Sequence, residues 1–72
     1  MKFSQWVQKH YSHKQTPAGD LARSVGAAAW LPENETRLDW MKYLRLVSAP
    51  RSMVSTFVRL WTVYVDTGGR NE

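Results

Sequence analysis

Lys42, Arg45, Arg51 and Arg59 fall in a stretch, residues 40–65, that holds no acid. Ser52 and Ser55 lie among them. Guanidinium and ammonium groups neutralise phosphate, and serine hydroxyls and helix N-termini donate hydrogen bonds to it. The chemistry this permits is non-covalent binding of a polyanion, with Lys42, Arg45, Arg51, Ser55 and Arg59 as the contacts. The same residues also describe an ordinary solvated helix face. A second acid-free stretch, residues 1–19, carries Lys2, Lys9 and Lys14. Ten Lys and Arg stand against six Asp and Glu, a net charge of +4, and the pI is near 9.9. That balance permits an anionic partner without requiring one.

Reactive chemistry finds few groups to use. The six acids are Asp20, Glu33, Glu35, Asp39, Asp66 and Glu72. Three fall near expected helix starts, where a carboxylate favours the positive end of the helix dipole. The nearest catalytic candidate is Asp20 with His10 or His13. No glycine-rich phosphate loop and no nucleophile elbow is present. There is no cysteine, so neither a disulfide nor a thiolate metal site can form. Two histidines without a third ligand in register make a poor metal site. The expectation is a non-enzymatic chain with no metal and no cofactor.

The elements that must carry these residues are helices. Phe3, Trp6, Val7 and His10 form one stripe over residues 2–11, with Ser4, Gln5, Gln8 and Lys9 facing away. His10 is expected as a packed, hydrogen-bonded imidazole. Thr16-Pro17 opens the second helix: threonine caps, and proline suits the first position because its missing N–H would be unpaired there. Ala18, Leu21, Ala22, Val25 and Ala29 form its buried stripe. Gly26 weakens the interior, which places the helix end between Gly26 and Ala29. Trp30-Leu31-Pro32 then runs extended.

A third helix is expected over residues 36–47. Thr36 and Asp39 resemble a capping box with an unusual partner. Trp40, Tyr43, Leu44 and Val47 make its core stripe, with Met41 at the edge. Leu38, Lys42 and Leu46 form a second stripe, either covered or open as a contact surface. After Ser48-Ala49-Pro50 the fourth and longest helix runs to about residue 66. Met53, Phe57, Leu60, Trp61 and Tyr64 share its inner face, and Val54, Val58 and Val65 widen it. Trp61 is expected against Trp40, Phe57 and a residue of the first helix. Gly68-Gly69 supplies a left-handed stop, and residues 67–72 should fray.

The 72 residues suit one small domain, residues 1–72. Four Trp, three Tyr and two Phe give it a large buried area per residue. No apolar run approaches the roughly 20 residues that span a bilayer. MKFSQWVQKH has no uninterrupted apolar core, so it does not read as a signal peptide. A cytoplasmic protein is expected. Asn34-Glu35-Thr36 matches a glycosylation sequon but reads better as helix-start chemistry.

The order and spacing of these anchors resemble the YozE-like family of small bacterial proteins. The residues that carry the likeness are Phe3 and Trp6, then Pro17, Gly19, Asp20, Leu21 and Ala22, then Leu31-Pro32. Tyr43-Leu44 and Phe57, Leu60, Trp61 and Tyr64 complete the set. The resemblance implies an all-α, four-helix bundle similar to the sterile alpha motif, and no settled biochemical activity. Family members tend to carry Phe-Pro with an acid before it where this chain has Trp30-Leu31-Pro32, and they are commonly less basic. Similar folds serve both nucleic-acid and protein binding, so function by this route is analogy.

The function expected is that of a binding module of a small bacterial or mobile-element protein. Nucleic acid is the first partner class, on the surface of the third and fourth helices. The alternative is a protein–protein or inhibitor module, docking through Trp30, Leu38, Leu46 and Val58 on a larger partner. The spacing of the Trp and Tyr residues indicates core rather than a base-stacking platform. No membrane partner is expected.

Overall fold

The computed structural model describes residues 2–67. Four helices account for its regular structure, and no strand occurs among the described residues: α1 is Phe3–Tyr11, α2 Pro17–Ala27, α3 Arg37–Leu46 and α4 Arg51–Asp66. The expected helix spans hold to within a residue or two at each end. The expected Gly68-Gly69 stop lies outside the described residues.

The core is aromatic and is centred on Phe3. Its ring meets Trp6, Trp40, Phe57, Trp61 and Tyr64 at centroid distances of 5.3–5.8 Å. Those five rings come from α1, α3 and α4. Three of the contacts are edge-on, the arrangement ring quadrupoles favour. Trp61 was expected directly against Trp40. Instead Phe3 stands between them, 5.4 Å from each. Trp40 is fully buried, and its Nε1–H finds no acceptor among the described residues.

α2 approaches α1 closely because the facing residues are small. Ala22 is fully buried, Ala18 is half-buried, and Gly26 faces the Gln8 side chain. Gly19 marks the tightest approach. A Cβ there would lie 1.8 Å from the Lys14 carbonyl oxygen and 3.0 Å from that of Tyr11. The backbone of the α1–α2 connection therefore occupies the space any side chain would need. Thr16 caps α2 as expected, its Oγ1 accepting from the Gly19 N–H at 3.2 Å. Arg23 fastens the same connection. Its Nη1 donates to the carbonyls of Ser12 and Lys14 at 2.9 and 2.8 Å, and its Nη2 pairs with Asp20.

Ser4 was expected to face away from the core, yet it is buried. Glu35 explains this. From the α2–α3 connection its carboxylate accepts from the Ser4 N–H at 2.8 Å and the Ser4 hydroxyl at 2.9 Å. α1 has no acid in its own first turn, so a residue 31 positions away supplies both the acceptor and the charge. Glu35 precedes α3 in the chain but serves α1. The start of α3 is held by Thr36, whose Oγ1 accepts from the Asp39 N–H and donates to the Asp39 carboxylate.

Three other stripe residues fall outside the core. His10 is exposed and lies against Trp6, ring centroids 5.5 Å apart, rather than packed and hydrogen-bonded. Ala29 is exposed beyond the end of α2. Val47 is exposed as the C-cap of α3, where the chain turns away.

The α3–α4 corner is a Schellman turn built on serine. Ala49 N–H bonds the Leu44 carbonyl and Ser48 N–H bonds that of Arg45, at 2.9 and 3.1 Å. This pairing requires a left-handed residue after the C-cap, usually glycine. Ser48 fills it with φ of 55°. Pro50 follows and starts α4.

Four substitutions test these contacts by chemical or thermal unfolding. Gly19→Ala should cost roughly 3 kcal/mol or more, because rigid backbone is in the way. Gly26→Ala should be neutral or stabilising by up to about 1 kcal/mol, since its neighbour is the movable end of Gln8; equal effects at both sites would contradict the packing. Ser48→Gly should stabilise by about 1 kcal/mol by relieving the left-handed backbone; a destabilised variant would refute the strain. Glu35→Ala should destabilise by about 1–2 kcal/mol, and an unchanged melting midpoint would show that the α1 clamp contributes nothing.

Candidate interaction surface

The backbone of α3 comes near that of α4 alone. Its inner face carries the buried Trp40, Tyr43 and Leu44. At about 100° per residue, Leu38, Lys42, Arg45 and Leu46 then project on the opposite side. All four are exposed, Leu38 at 63% and Leu46 at 72%. The second stripe on α3 is thus open, not covered by the N-terminal region.

α4 repeats this division. Phe57, Leu60, Trp61 and Tyr64 are buried. Arg51, Ser55 and Arg59 are exposed and recur every four residues, so they lie along one stripe, with about 12 Å of helix rise between Arg51 and Arg59. Val58 is half-buried at the edge of that stripe. Thr56 and Thr62 donate their hydroxyls to the Ser52 and Val58 carbonyls of their own helix. α4 opens on Pro50 with no side-chain cap and no acid in its first turn.

The electrostatics follow from what is absent nearby. Among the described residues the one ion pair is Arg23–Asp20. Lys42, Arg45, Arg51 and Arg59 have no carboxylate partner there. Arg45 closes α3 and Arg51 opens α4, so the Schellman corner brings the basic ends of the two helices into succession. The five expected contact residues are therefore all exposed, on the outer faces of two adjoining helices.

Trp30 adds what the spacing of the aromatics did not suggest. Trp6, Trp40 and Trp61 are buried, whereas Trp30 is 51% exposed. Its ring packs on Tyr43, centroids 4.9 Å apart and nearly perpendicular. It borders a shallow depression of about 210 Å³ shared with Pro32, Lys42, Tyr43 and Leu46, with Glu33, Asn34 and Asp39 on the remaining rim. The depression joins Lys42, expected on phosphate, to Trp30 and Leu46, expected on a protein. The sequence signal for it was Trp30 itself, the one tryptophan followed by Leu-Pro rather than set in a helical stripe.

A broader trough of about 870 Å³ lies between the start of α1 and the α2–α3 connection. It mixes Lys2 and Arg37 with Glu33 and Glu35, so it has no bias toward either charge. Asp20, considered from sequence with His10 or His13, is engaged by Arg23, and His10 lies against Trp6. No cluster of three or more His, Asp or Glu occurs among the described residues. No helix among them is long and apolar enough to cross a membrane.

Comparison with known proteins agrees with this architecture at the level of the family. No curated protein and no solved structure matches the chain. The sequence model of the YozE SAM-like fold matches residues 2–66, nearly the whole chain and all four helices, and the protein belongs to that family.

Proposed function

We propose that this protein is a non-catalytic binding module that takes nucleic acid on the outer faces of α3 and α4. The observation that carries the reading is the set of exposed cations Lys42, Arg45, Arg51 and Arg59, none with a carboxylate partner among the described residues. Such groups release condensed counterions when they meet phosphates, and this is the main source of sequence-independent affinity. Ser55 and the uncapped start of α4 add donors for phosphate oxygens. A bacterial regulatory role inside the cell, on a chromosome or a mobile element, would suit such a module.

A second reading rests on Leu38 and Leu46. Large apolar side chains this exposed commonly mark a protein contact, and with Trp30 and Val58 they would dock an acidic partner against the same cations.

A binding titration across salt concentrations separates the two. For nucleic acid, log affinity should fall with log salt by about 0.7 to 0.9 per phosphate contact. The Arg51→Glu/Arg59→Glu variant should weaken binding to all sequences alike and flatten that slope by about one for each arginine changed. Absence of any complex with DNA or RNA at low salt would overturn the nucleic-acid reading. Under the docking reading, Leu46→Asp or Val58→Asp would abolish partner capture with little dependence on salt.

A further inference from the structure

We infer that the depression beside Trp30 is a base-stacking subsite, and hence that the nucleic acid bound is single-stranded. An unpaired base lies on the Trp30 indole while Lys42 and Arg45 hold the adjoining phosphates. The inference rests on the nucleic-acid reading above and deepens it by naming the strandedness.

The first argument is exposure. Half of the Trp30 surface is open in a bundle whose other tryptophans are at most 7% exposed. Leaving half an indole in water forgoes favourable apolar burial. The second argument is rigidity. Tyr43, itself 8% exposed, meets the indole at 82°, and Pro32 restricts the backbone two residues on. The ring is therefore set in place before any ligand arrives, which lowers the ordering cost of binding.

The third argument is size and charge. A hollow of about 210 Å³ is below the roughly 300–1,000 Å³ of a closed ligand pocket, but it accepts one planar ring against the indole. Lys42 borders it, and Arg45 lies one turn further along α3, where side chains three apart are neighbours. Glu33 and Asp39 line the same hollow; Asp39 is engaged by the Thr36 hydroxyl and, three residues before Lys42, lies beside it on α3. These carboxylates repel phosphate. The adjoining phosphates therefore lie toward Arg45, in the last turn of α3, away from Asp39 in its first turn. A duplex keeps the faces of its bases stacked on one another, so it has none to offer Trp30. Aromatic stacking of this kind tolerates any base, because every base has a π-face.

The test titrates the full chain with oligothymidylate and with a duplex of equal length, reading intrinsic fluorescence and anisotropy. The single strand should quench emission from Trp30, the exposed tryptophan, and bind more tightly than the duplex. Trp30→Leu keeps apolar cover over Tyr43 but has no π-face, and should weaken single-strand binding roughly 10- to 100-fold. Trp30→Phe should retain most of the affinity. Salt-dependent binding that Trp30→Leu leaves intact, or equal affinity for the duplex, would overturn the stacking subsite while sparing the basic surface. No binding of either oligonucleotide would overturn both.

Discussion

The fold depends on one ring. Phe3 sits where α1, α3 and α4 converge and touches an aromatic residue of each. α3 has no other close companion: its backbone nears only α4, and its tie to α1 runs through Phe3 on Trp40 and Glu35 on Ser4. A small bundle buries a limited share of its surface, so it concentrates burial in a few large side chains. That economy has a consequence for function. α3 is held by one face, which leaves its other face, with Leu38, Lys42, Arg45 and Leu46, free for a partner.

The connections are fixed as firmly as the helices. Gly19 admits the backbone of the α1–α2 connection, and Arg23 bonds two of its carbonyls. Glu35 anchors the α2–α3 connection to α1, and the Ser48 turn sets the angle between α3 and α4. Serine in a left-handed position is a cost that a glycine would avoid. It persists at the corner where the basic ends of α3 and α4 follow one another, because the Schellman turn needs a left-handed residue there. The corner thus links the geometry of the core to the spacing of the cations outside it.

Local chemistry was legible in the sequence, and long-range chemistry was not. The Thr16-Pro17 cap, the helix-spaced aromatics and the exposed cations all follow from neighbours three or four residues apart, and each stands where that spacing puts it. The Glu35–Ser4 clamp spans 31 residues and leaves no periodic signal, so Ser4 read as a solvent residue. Gly19 was visible as part of a motif, but its reason lies in the carbonyl of Lys14, which only the folded turn brings near. Arg23 looked like any surface cation because its acceptors are backbone atoms. Of the candidate site, the positions on α3 and α4 could be read from helical phase. The meeting of Trp30 with Lys42 and Leu46 could not, since the α2–α3 connection has no regular period to place it.

The outer faces of α3 and α4, with Trp30 beside them, are the proposed nucleic-acid surface. The most direct test is a residue-by-residue NMR map of the full chain during titration with a single-stranded oligonucleotide. Shifts should concentrate at the Trp30 indole and at Lys42, Arg45, Arg51, Ser55 and Arg59, with the core around Phe3 unmoved. Shifts centred on the trough lined by Lys2, Glu33 and Arg37, or no shifts at any residue, would contradict it.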